Sequence, residues 1–209
     1  DVSSYVDHFE AVEQTSEWCV FDGYPARTFH GYNGMNRAEL AKVLVRANGL
    51  TDEDIAITVN NYRAAGKSSF LDIDSSLSTN ELWYVDYVLY AKAQGWVSGY
   101  SDRTFKPGNP VNVAEATKMI TEALFQTPTE SWAGEHWYDR YFDMLEYFDL
   151  IETSGGKLYY TYTEEDPSIG FDATPESKVT RRDAAELIYR ITTTLEEGEG
   201  SFINYNPYI

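Results

Sequence analysis

The amino-acid sequence predicts a mainly α protein made of three helix-loop-helix units packed as one body, and three observations lead there. The first is internal repetition. Residues 23–42, GYPARTFHGYNGMNRAELAK, align without a gap with residues 99–118, and ten of twenty-two positions are identical when the window runs to residue 44. A weaker third copy, VTRRDAAELIYR, places Asp183 opposite Glu115. The second is helical periodicity: Leu40, Val43, Leu44 and Ala47 align with Ala116, Met119, Ile120 and Ala123, and with Ala184, Leu187, Ile188 and Ile191, always at i, i+3, i+4, i+7. The third is a shared opening. Asn36 with Glu39, Asn112 with Glu115, and Thr180 with Asp183 each have the spacing of a capping box. Units this small cannot bury an apolar face alone, so they pack on one another.

The helices before the loops are aromatic. Tyr84, Tyr87, Val88 and Ala91 form one face in the second unit, closed by Gly95, and Tyr138, Tyr141, Phe142 and Leu145 form its counterpart in the third. In the first unit His8, Ala11, Val12 and Thr15 take the aligned positions, with a register around Tyr5, Phe9 and Val12 as the alternative. GYPARTF and GYSDRTF read as a turn followed by a short extended segment, because glycine permits positive φ and Thr-Phe favours strand. The third unit has an insertion here, whose alternating LYYTYT reads as a hairpin strand. Gly49 fits a left-handed helix end, and residues 51–66 add a helix capped at Thr51. The expected organisation is 1–50, a connecting helix and linker at 51–69, then 70–127, 128–196 with the inserted hairpin, and a linker with an aromatic tail at 197–209.

The net charge is -18, with 34 acidic against 16 basic residues. That argues against a nucleic-acid partner, which needs clustered Lys and Arg, and against anionic membrane surfaces. Cys19 is the only cysteine, so no intrachain disulfide or cysteine metal site is expected, and it reads as a core residue. No apolar run reaches the ~18–20 residues needed to cross a bilayer, and the chain reads as soluble. It starts at Asp1 with no basic-then-apolar leader, so a secretion signal is expected to have been removed or never included.

The order FxDI, WYxxYVxYAxxxGxVSGYSDxTFKPxxPVxxAEAxKM from residue 70 to 119 resembles the S-layer homology module of bacterial cell surfaces. The resemblance spans three copies, with residues 51–69, 152–169 and 197–209 outside it. It implies a pseudo-threefold trefoil or spindle of three helix-loop-helix repeats, with a central three-helix bundle and short β segments in loops. It also implies grooves between repeats that bind secondary cell wall polysaccharide, often through a pyruvylated sugar, without catalysis or cofactor, outside the cell. The family's TRAE motif falls on NRAE at 36–39, NVAE at 112–115 and TRRD at 180–183, so Arg37 and Arg181 keep the basic position and Val113 does not. Its GYPDGTF loop falls on residues 23–29 and 99–105, which places ligand contacts at Gly23, Tyr24, Gly99, Tyr100 and Asp102, with Arg27 and Arg103 where the family usually has Gly.

An Arg at the first helical position beside free amides and the positive end of a helix dipole suits a carboxylate. Lys42 and Arg182 lie close enough in sequence to add charge, as do Arg27, Lys106 and Lys178. Trp83, Trp96 and Trp137 read first as core residues, with sugar stacking as the alternative for each, and Trp83 is counted among the ligand contacts. Two other functions compete. Assembly through protein-protein contacts with other copies or other surface-layer proteins would use the tyrosines and the aromatic tail. A glycan-cleaving enzyme would need two facing acids, but His8, His30 and His136 fall at unrelated repeat positions and neither GxSxG nor HExxH occurs. Calcium at DIDSS or TEEDP lacks the spacing of a 12-residue loop, so no metal is expected.

Overall fold

A computed structural model describes residues 8–67, 69–77, 82–125, 136–154, 157–160 and 173–197. The fold is mainly α, as the sequence predicts. Its helices among the described residues are α1 (Phe9–Glu17), α2 (Arg37–Ala47), α3 (Asp52–Ala64), α4 (Val85–Gln94), α5 (Val113–Leu124), α6 (Asp139–Tyr147) and α7 (Arg181–Glu197). A hairpin of β1 (Ile151–Ser154) and β2 (Lys157–Tyr160) follows α6, pairing Ile151 with Tyr160. The strand read from LYYTYT is therefore present as far as Tyr160, and its remainder lies outside the described residues.

Helices α2, α5 and α7 begin at the capping pairs. Asn36 and Asn112 each accept from the amide three residues on, at 2.9 and 2.8 Å, while Glu39 and Glu115 accept from the cap amides. Asp183 does the same for the Thr180 amide at 2.9 Å. The two amides that a cap cannot reach are satisfied from outside the helix. Arg37 and Ala38 donate to the carbonyls of Asn109 and Pro107, Val113 and Ala114 to Ser177 and Pro175, and Arg181 and Arg182 to Asn33 and Gly31. Just before the helices, the Met35 amide donates to Val179, Val179 to Val111 and Val111 to Met35, closing a ring of three backbone hydrogen bonds. Each helix start is thus wired to the segment before another helix start, in one rotational sense.

The periodic faces form the core around this ring. Leu40, Leu44, Ile120, Ile188 and Ile191 are fully buried, and Phe105, Phe125 and Tyr141 fill the space between helices. In α1 the aligned set His8, Ala11, Val12 and Thr15 is buried while Phe9 is only half-buried, which decides the register in favour of the alignment. Gly49 and Gly95 take positive φ after α2 and α4, at 67° and 86°, as expected of left-handed helix ends. Helix α3 is capped by Thr51 with Asp54 and packs on α4, where Arg63 reaches the carbonyls of Ser75 and Leu77 and the Asp86 carboxylate.

Two expectations fail. Cys19 is exposed rather than core, because the chain reverses directly after α1 and holds it at φ 59° in the turn. Trp96 is buried, but Trp83 and Trp137 are 43% and 55% exposed, since each stands one turn ahead of its helix rather than on the inward face.

Helix α1 is held on α7 by a buried contact, with His8 Nδ1 2.9 Å from Glu186 Oε2, and Arg190 is 2.6 Å from the other carboxylate oxygen. Burial alone would raise the Glu186 carboxyl, but the His8 contact and the Arg190 charge together hold it below the ordinary glutamate value. A depressed folded-state carboxyl contributes stability above its unfolded value, near 4.3, and loses it as pH falls through the folded value. The melting temperature of the wild type is expected to fall more steeply between about pH 5 and pH 3 than that of Glu186→Gln. Parallel slopes would mean that the pair contributes nothing.

Candidate functional site

The inter-unit wiring extends to side chains. The buried Arg37 crosses from the start of α2 to the loop of the second unit, donating from Nε to the Phe105 carbonyl at 2.8 Å and from Nη2 to the Ser98 carbonyl at 3.2 Å. Its guanidinium lies 4.7 Å from the ring centres of both Tyr100 and Phe105, and Nη1 is 3.3 Å from Glu115. Arg181 repeats this at the start of α7, donating to the carbonyls of Phe29 and Asp22 at 2.9 Å each and lying over Phe29, Tyr24 and Phe21. The helix-start amides beside the two arginines are not free. The amides are already bonded to neighbouring carbonyls and caps, and Arg37 faces Glu115.

The opening beside Arg37 is instead lined further along α5. A cavity of about 400 Å³ lies between the two units, bordered by Arg37, Gly99, Tyr100, Glu115, Lys118 and Trp137. The Tyr100 hydroxyl donates to Glu115 at 2.7 Å, and burial together with that carboxylate pushes its pKa to about 12, so it stays a neutral donor. Lys118 lies 3.4 Å from the Ser98 hydroxyl and 5.9 Å from the centre of the Trp137 ring, with no carboxylate in ion-pair range among the described residues. Burial pulls its pKa below the ordinary lysine value; Glu122 opposes that, and Arg140 and Arg37 add to it. A desolvated ammonium beside an exposed indole face can hold an anionic group attached to an apolar or sugar ring.

The other residues singled out from the sequence fall in different places. Tyr24, Lys42 and Trp83 lie at the matching joint of Arg181, which Asp22 links to Lys42; there Lys42 lies 6.0 Å from the Trp83 ring centre and Tyr24 lies edge-on to His30. Arg182 leaves that groove and lies 4.2 Å from the Tyr32 ring centre. Asp102 caps its own turn: the Thr104 hydroxyl and amide, with Lys106, hold its carboxyl at about 2. The third inter-unit site differs again. Where Val113 replaces the arginine, it is buried against Ile151, Leu158 and Leu187, leaving only about 20 Å³, room for little more than one water. Lys118 and Trp137, which line the cavity, are not among the ligand contacts expected from the sequence, although Lys118 lies 76 positions after Lys42 and is found by that offset.

The loops reach this shape by unexpected means. Their left-handed residues are Arg27, His30, Arg103 and Lys106, with φ between 52° and 63°, and neither Gly23 nor Gly99 has positive φ. Gly99 is required for space, since a Cβ there would lie 2.8 Å from the Phe70 ring and from the Thr104 carbonyl. The FLDI segment then clamps the loop, with Asp72 accepting from the amides of Phe105 and Lys106 at 2.7 Å.

A mainly helical protein with a cavity at one of its inter-unit joints is the class that this geometry defines. Residues 79–117 match the family model of the S-layer homology domain. Over 107 residues, half of this chain, it is 32% identical to the surface layer protein of Brevibacillus choshinensis, covering 8% of that protein. It is 27% identical over 154 residues to the cellulosome-anchoring protein of Acetivibrio thermocellus, covering 73% of this chain and 30% of the relative, and 32% identical over 95 residues, 46% of this chain and 8% of the relative, to the middle cell wall protein of Brevibacillus brevis. Residues 79–117 thus carry the S-layer homology domain match, and the chain is similar to proteins of the bacterial surface layer and cell wall while spanning 8–30% of the length of these relatives.

Two outcomes test the loop geometry. Gly99→Ala is expected to lose about 1–3 kcal/mol in chemical denaturation through overpacking, while Gly23→Ala, whose added Cβ meets only Thr28 O at 3.5 Å, changes stability by less than about 0.5 kcal/mol. Arg103→Gly is expected to raise stability by about 0.5–1 kcal/mol, relieving a left-handed non-glycine residue at some cost in chain entropy. A loss of stability in Arg103→Gly would show that the arginine side chain matters more than its backbone.

Proposed function

We propose that the chain holds a surface protein on the bacterial wall by binding an acidic wall polysaccharide, without catalysis, in the cavity between Arg37, Tyr100, Lys118 and Trp137. One observation carries this reading: a partly desolvated lysine, with no carboxylate in ion-pair range among the described residues, opens into a cavity of sugar size beside an exposed tryptophan. In a protein of net charge -18, an anionic polymer is drawn only to such a local excess of positive charge. Arg37 acts mainly as the strut that fixes Tyr100 and the loop, and the pyruvyl carboxylate of a modified sugar is a suitable anion for Lys118. The relatives named for the surface layer, the cell wall and anchoring agree with this.

The test is co-sedimentation with isolated wall sacculi, before and after removal of the non-peptidoglycan glycan. The wild type is expected in the pellet only with intact walls. Lys118→Ala should weaken binding about ten- to hundredfold, as loss of a charge-assisted contact implies, and Trp137→Ala should weaken it to a lesser extent. Chain that stays in the supernatant with intact walls yet self-associates would favour assembly instead.

A further inference from the structure

Asp22 and Ser98 occupy the same place in two copies of one frame. Each offers its backbone carbonyl to the Nη2 of the arginine that opens the preceding helix in the ring, Arg181 to Asp22 at 2.9 Å and Arg37 to Ser98 at 3.2 Å. In both grooves a lysine follows at the same offset on the next helix, beside an exposed tryptophan: Lys118 near Trp137 and Lys42 near Trp83. The side chains then diverge. Ser98 presents a hydroxyl 3.4 Å from Lys118, whereas the Asp22 carboxylate sits 2.5 Å from the Lys42 ammonium.

Charge decides between the two. Arg37, Lys118 and Arg140 against Glu115 and Glu122 leave the first groove with one cation in excess, while Arg181, Lys42 and Arg46 against Glu39, Asp22 and Asp52 leave the second with none. An exposed ion pair adds little to stability. Its effect here is on a ligand, because the Asp22 oxygens take the place at Lys42 that an incoming carboxylate would need, and they repel it at short range.

We infer that Asp22 is an internal counter-ion that stands in for the ligand's carboxylate at Lys42, so that only the Lys118 groove takes an anionic sugar. The inference rests on the wall-binding reading above and deepens it. One residue sets the valency of the module, and changing it creates a second site on a frame already built.

The experiment is calorimetric titration of the full chain with the methyl glycoside of a 4,6-pyruvylated hexose, using the neutral parent glycoside as control. Wild type is expected to bind one equivalent and Asp22→Ser two, the second within about tenfold of the first. Ser98→Asp should weaken the original site at least about tenfold, and Asp22→Ser with Lys42→Ala should return the count to one. Circular dichroism confirms that each variant is folded; serine already fits this backbone position at residue 98. Two equivalents in wild type, or one in folded Asp22→Ser, overturns the inference while leaving wall binding intact. No uptake by any of the proteins overturns both.

Discussion

The structure depends on how the starts of α2, α5 and α7 satisfy their backbone amides. An α-helix leaves its first amides without partners, and burying them unsatisfied would cost free energy at each of three sites. Side-chain caps serve the third amide, and carbonyls from the next unit serve the first two. The three units therefore cannot separate without exposing six of these bonds and the ring of Met35, Val111 and Val179.

That constraint also shapes the joints. The helix-start amides are taken up in holding the units together, so the Arg37 cavity is lined from further along α5 as well. There the three joints differ in chemistry. At the first a lysine with no carboxylate in ion-pair range among the described residues faces an open cavity, at the second the lysine is paired with Asp22, and at the third Val113 and the β1–β2 hairpin fill the space with apolar side chains. A repeated frame has been given three different fillings.

Much of the fold was legible in the sequence because it rests on local rules. The i, i+3, i+4, i+7 faces, the capping pairs and the Gly49 and Gly95 helix ends are set by a few neighbouring residues, and each is found where its spacing indicates. The site was less legible because its determinants are distant. Arg37 looked available from sequence, since nothing local shows that Ser98, Phe105 and Glu115, more than 60 residues away, would engage it. Trp137 looked like core for a similar reason: periodicity assigns it to a helix that in the structure begins only after it. Arg103 shows the limit in the other direction, as a position that favours glycine was occupied by a residue whose strain only the backbone angle reveals.

The most direct test is a crystal structure of the chain with an acidic wall-glycan fragment bound. The account predicts density for one sugar in the cavity between Lys118 and Trp137, its carboxylate within hydrogen-bond distance of the Lys118 ammonium and no ligand against Lys42. Density at the Lys42 groove with the Lys118 cavity empty would contradict it.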